Sequence, residues 1–245
     1  MHVSAEAFAL VPLLALAYAG LARRTHPEPW RIACAVAALV LIFAAFASEL
    51  QQLATHTFVW AHLLQNVVLA EWAPALLVLA IPPSAARRLR VPMPVGLPLW
   101  LFTYAVWHIP AVYDYALGHQ HSLLHVEHVT YLVAGVALWW PVVRGPRPAG
   151  MKAVYVFAAF VLASPLGLLL ALIPRAIYSF YVDAPRTWGP DPLQDQQIGG
   201  ITMSLEQAAV FFAVFTVYLL RFLREEQRDP ELFALELRRE ALRRR

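Results

Sequence analysis

The sequence predicts an all-α, polytopic membrane protein of seven transmembrane helices, with the N-terminus outside and the C-terminus in the cytoplasm. Three observations predict it. Hydrophobic residues make up 60% of the chain and charged residues only 14%, against roughly a quarter charged in soluble domains. The apolar residues fall in runs of about 20, the length of helix that crosses a hydrocarbon core. Seventeen of the nineteen Lys and Arg side chains fall in alternate connections and in the tail, and that bias sets the orientation.

The runs cover residues 3–22, 30–47, 58–81, 95–117, 122–143, 151–173 and 198–223. Residues 1–223 are expected as one seven-helix domain. Residues 224–245 are a charged cytoplasmic tail whose Leu and Phe recur among mixed Glu and Arg, the pattern of a surface helix. The first run has no basic leader and no cleavage site, so it is read as a retained span. The second holds Cys34, the one cysteine, which excludes an internal disulfide and a Cys-x-x-Cys metal site. The third stops at Pro82-Pro83 and carries Glu71 near its middle, a carboxyl expected to bond to a neighbouring helix. The fourth contains Trp107-His108-Ile109-Pro110, where the proline frees a backbone carbonyl. The fifth opens on a histidine-rich stretch. The sixth carries Pro165, a kink site. The seventh opens with Asp195, read as its N-cap, followed by Gly199 and Gly200, which allow close helix approach.

The net charge of +3 comes from Arg at helix ends. Basic and aromatic residues are not interleaved as a nucleic-acid groove needs, so the expected surroundings are lipid, with no nucleic-acid partner.

Four of the nine histidines lie within ten residues, His119, His121, His125 and His128. His121, His125 and His128 have i, i+4, i+7 spacing and fall within roughly 60° of arc on one helical face. Imidazole is the commonest ligand for transition metals, and ionisable groups at membrane depth point to function. The competing reading is that these rings cap the helix and bond to neighbours. His62 and Asn66, an i, i+4 pair, open the third span, and His108 sits in the fourth. These histidines lie in the half of the chain that carries only Arg175 and Arg186. An outward-opening polar site explains that segregation. We expect His62, His108, His125 and His128 to surround one metal ion. Asp114 and Glu127 are expected to orient imidazoles, with Glu127 also able to ligate directly. His121 and Asp195 are expected near the cavity mouth, Asn66 beside His62, and Met203 as an optional soft ligand.

Short motifs then occur in a definite order. They are Ala61-His62-Leu63-Leu64-Gln65, Ala73-Pro74 to Pro82, Trp107-His108-Ile109-Pro110 with Tyr113-Asp114, Leu124-His125-Val126-Glu127-His128, Trp139-Trp140-Pro141, and Asp195-Gln196-Gln197 through Gly200 to Met203. Together they resemble the CtaG family of multi-span cytochrome c oxidase assembly factors, over residues 55–220. The resemblance implies a multi-pass protein of the bacterial inner membrane that matures a haem-copper oxidase. It implies copper as the ion and an oxidase subunit as the partner, with no catalytic turnover required. One position departs from the family: where it usually has a second His four residues after the one matching His62, this chain has Asn66, a poor copper ligand. The main alternative is a seven-span zinc hydrolase of lipid amides, using Ser122 and Asp114 beside a Zn-bound water. Bis-histidine haem ligation and a purely structural scaffold are further readings.

Overall fold

The computed structural model describes residues 5–87, 89–118 and 121–243, and all of their side chains except those of 5, 6, 121 and 228–243. Arg88, His119, Arg244 and Arg245 lie outside the described residues, as do the first residues of the expected first span and the side chain of His121. Among the described residues every regular element is a helix. Six helices are long and apolar enough to cross a membrane, and a bent pair makes a seventh. The chain is a multi-pass, all-helical membrane protein.

The elements are α1 (Ala5–Thr25), α2 (Pro29–Ala47), α3 (Glu49–His56), α4 (Val59–Val67), a π turn (Val68–Trp72), α5 (Ala73–Ala80), α6 (Pro83–Ala86), α7 (Met93–Trp107), α8 (Pro110–Gly118), α9 (His121–Val143), α10 (Ala149–Leu172), α11 (Ser179–Val182) and α12 (Pro192–Arg243). The third span is one continuous passage of α4, the π turn and α5, and it lies at the centre of the bundle. It packs on α2, α9 and α12, while α7 packs on α9 and α10 on α12.

Proline explains the two irregular spans. Pro74 has no N–H to give the Ala70 carbonyl, and its ring would crowd that oxygen in a regular helix. The backbone widens into the π turn just before it. Within the turn the Glu71 carbonyl accepts from the indole N–H of Trp139, at 2.9 Å. α9 reaches this turn because Gly135 has no side chain: a Cβ there would stand 2.3 Å from the Ala70 carbonyl oxygen. In the fourth span Pro110 ends α7 at Trp107, and α8 leaves at 67° to it. The expected single helix is therefore a broken one.

Two guanidiniums close the far end of the third span. The last carbonyls of a helix have no partner within it, and Pro82-Pro83 offers none. Arg31 of α2 donates to the carbonyls of Leu79 and Ile81, at 2.8 and 3.3 Å. Arg144, just past α9, donates to Val78 and Leu79 at 2.8 and 2.9 Å, and also to Ile81. Positive charge at a helix C-terminus is also favoured by the helix dipole.

The last helix differs from expectation at its start. It begins at Pro192, and its N-cap is Asp191, whose Oδ1 accepts from the N–H groups of Leu193 and Gln194, both at 2.9 Å. Proline at the first helical position suits this start. α12 then runs unbroken from the membrane span into the charged tail, to Arg243. α10 and α12 cross closely at glycine: a Cβ on Gly200 would meet the Ala171 nitrogen and the Gly167 oxygen, both at 2.6 Å.

Gly135→Val is expected to push α9 off the π turn and lower stability by about 1–3 kcal/mol. Gly20→Val, where a side chain meets open space, should leave the melting temperature unchanged. Melting of both variants in detergent checks this; equal melting temperatures would contradict it.

Candidate metal centre

The site forms where α4 and α9 meet beneath a loop. His62 lies one turn into α4. Glu127 and His128 lie in the second turn of α9. All three side chains are buried, each 1% exposed. One ligand atom from each lies within 4.8 Å of the others. The mutual spacing of donors around one ion is at most about 4 Å, so a shift of roughly an ångström would let all three bind one metal.

Hydrogen bonding fixes how His62 is presented. Its Nδ1 is 3.1 Å from the Tyr181 hydroxyl. That hydroxyl donates its single proton to the Ala54 carbonyl, so it can only accept from His62 Nδ1–H. In the neutral ring the lone pair is then on Nε2. Nε2 faces Glu127 Oε1 at 3.3 Å but makes no hydrogen bond. Asn66 Nδ2 donates to the same Glu127 oxygen at 2.9 Å. The two atoms thus face one another away from water, an arrangement that a metal ion between them would satisfy.

The expected ligands are only partly brought together. His62 and His128 converge, with ring centroids 6.3 Å apart. His125 does not: it is on the exposed side of α9. The predicted stripe is split between His125 and His128, because packing aims Leu124, Glu127, His128 and Tyr131 inward; the side chain of His121 lies outside the described residues. Glu127, expected mainly to orient an imidazole, takes the inner position instead. His108 is buried close to this group but outside it. Its ring stands across Tyr113, whose ring centroid is 4.9 Å from that of His62 and 6.4 Å from that of His108. His108 Nδ1 donates at 2.8 Å to the Tyr104 carbonyl, one turn back on α7. Its Nε2 is therefore an acceptor, buried and without a hydrogen bond.

The acids expected around the site hold the fold. Asp114 accepts from Ser179 N–H and Oγ–H at 3.0 and 2.6 Å and from Phe180 N–H at 3.1 Å. It caps α11. Asp195 does not cap its own helix. It caps α4, accepting from Val59 and Trp60 N–H, each at 3.0 Å, and it pairs with Arg186 at 3.0 Å. Met203 is buried in the apolar core. Ser122 is exposed, so the Ser122–Asp114 arrangement of a hydrolase is not formed at this cluster. Glu71 is fully buried and accepts from Gln207 of α12 at 3.0 Å, the expected bond to a neighbouring helix.

The tyrosines around the cluster were not anticipated from sequence. The loop of residues 174–191 inserts Tyr178 and Tyr181, 1% and 2% exposed. The i, i+3 spacing of two tyrosines beside a short helix was the available signal. Arg186 fastens this cover, donating to the Pro190 and Tyr181 carbonyls, each at 2.9 Å, as well as to Asp195. Also unanticipated was α3, though Ser48 and Gln51 have capping-box spacing; the Ser48 hydroxyl accepts from Leu50 N–H.

A family model described as cytochrome c oxidase caa3 assembly factor (Caa3_CtaG) matches residues 13–225. No curated protein and no solved structure matches.

Asp195→Ala is expected to strand Arg186 and two N–H groups of α4, destabilising the protein by roughly 3 kcal/mol. Adding Arg186→Ala to it should cost less than Arg186→Ala alone. Thermal unfolding of the single and double variants measures that coupling, and strictly additive losses would contradict the strap.

Proposed function

The chain belongs to the family of cytochrome c oxidase caa3 assembly factors, and from that premise we propose that it holds a copper ion for the oxidase between His62, Glu127 and His128. The observation that carries the proposal is the convergence of three buried ligand atoms within 4.8 Å, together with a His62 lone pair aimed at a carboxylate. Two imidazoles and a carboxylate, with no thiolate, suit Cu(II) or Zn(II). Copper is the choice consistent with an oxidase assembly role, and zinc is its competitor at the same atoms.

In this reading His62 and His128 supply nitrogen and Glu127 neutralises charge. Asn66 orients Glu127, and Tyr181 holds His62 in the tautomer that leaves Nε2 free to bind. His108 Nε2 is a spare donor nearby. The protein is a multi-pass resident of the bacterial inner membrane, with this end of the bundle facing outward and the arginine-rich end in the cytoplasm. There it passes the ion to an oxidase subunit, or steadies that subunit during metal insertion. The covering loop with Tyr178 and Tyr181 lies between the cluster and that partner.

Metal analysis of protein purified from copper-supplemented cells tests this. The wild type should hold about one copper per chain, and His62→Ala/His128→Ala should hold at least roughly tenfold less. Equal copper in both would overturn the proposal, and zinc in place of copper would reassign the ion. Asn66→His should tighten copper retention, because the new imidazole falls beside Glu127; unchanged retention in a competition with a chelator would count against the site.

A further inference from the structure

A second built feature lies at the opposite end of the bundle from the histidines. The turn between α6 and α7 and the turn between α9 and α10 border a cleft of about 920 Å³. Trp140, Met93 and Met151 contribute to its apolar wall, and Arg87, Arg90 and Arg147 to its border. Among the described residues no acidic side chain lines it.

The cleft is pre-formed. Arg144, also on its wall, is fixed by its bonds to the Val78, Leu79 and Ile81 carbonyls. The Trp140 indole donates to the Leu89 carbonyl at 3.2 Å and ties the first turn to α9. Arg87, Arg90 and Arg147 are different. All three are exposed, and among the described residues no carboxylate pairs with them. Guanidinium is the side chain best matched to the oxygens of a phosphate. Three of them beside a cavity whose described lining holds no carboxylate select an anion over a quaternary ammonium.

Size and surroundings decide which phosphate. The volume is near the upper end for small-molecule sites, too large for a lone phosphate ion. The cleft lies at the ends of membrane spans, at the depth where lipid headgroups sit. Below it the surface is apolar and exposed: Met151 and Val154 on α10, at 45% and 69%, and Val95 and Leu99 on α7, at 51% and 40%. Acyl chains have a track to lie in.

We propose that this cleft binds one anionic phospholipid, with its phosphate between Arg87, Arg90 and Arg147 and its chains along α7 and α10. The site is independent of the metal cluster. Delipidated protein in detergent would be titrated with phosphatidylglycerol, with phosphatidylcholine of the same chains, and with glycerol 3-phosphate, following bound lipid by native mass spectrometry. Phosphatidylglycerol should bind at least about tenfold more tightly than phosphatidylcholine. Arg87→Gln/Arg90→Gln/Arg147→Gln should weaken it on the order of a hundredfold with no change in melting temperature, because all three side chains are exposed. Met151→Glu, which keeps every guanidinium, should also release the lipid. Equal binding of the two lipids, or undiminished phosphatidylglycerol binding by the triple variant, would overturn the site. Glycerol 3-phosphate binding as tightly as the lipid would make it a pocket for soluble phosphates and overturn the lipid assignment.

Discussion

The structure depends on one constraint. Within an apolar layer there is no water to satisfy a buried polar group, so each must find its partner in the protein. The third span concentrates that demand in ten residues: His62, Gln65, Asn66 and Glu71 are all buried. Each is answered at one polar atom by another part of the chain, while a second atom of each stays without a hydrogen bond. Gln65 donates to the Ala45 carbonyl of α2 and to Gln51 of α3. Asn66 donates to Glu127 of α9. Glu71 accepts from Gln207 of α12, and His62 bonds to Tyr181 of the covering loop. The span is thereby central in the energetic sense: elements that surround it are bound to it by buried polar groups that are costly to leave unpaired.

The candidate site follows from the same demand. Glu127 enters the core to meet Asn66, and adjacency brings His128 in with it. Packing of Leu124, Tyr131 and Gly135 then fixes the rotation of α9, which turns His125 outward. The loop is held by three anchors of separate origin, Asp114 at α11, Arg186 at Asp195, and Gln196, whose Oε1 accepts from Ile177 N–H at 2.7 Å. A loop tied at several points keeps Tyr181 against His62, and so keeps the ring's Nε2 turned inward.

Fold class was legible because composition, run length and arginine placement all report on the bilayer. The centre was legible in part. Segregation of histidines pointed to the end of the bundle where His62 and His128 converge, and the pairing of His62 with Asn66 marked a helix face that is buried. Helical spacing grouped His125 with His128, about 60° away, and left Glu127, about 100° from His128 on its other side, out of the stripe. Which of them points inward depends on what the rest of α9 packs against. Asp195 misled because a carboxylate near a helix start resembles that helix's cap, whereas its partners, Val59 and Trp60, are more than a hundred residues distant in the chain. The tyrosines come from a loop whose fold depends on those distant partners, so their i, i+3 spacing alone did not place them at the cluster.

The central claim is that two imidazoles from two helices bind one ion. X-ray absorption at the copper edge of the loaded protein counts them directly. The account predicts scattering from two imidazoles in the wild type, falling to one in His128→Ala and in His62→Ala. A copper spectrum without imidazole scattering, or one unaltered by either substitution, would contradict it.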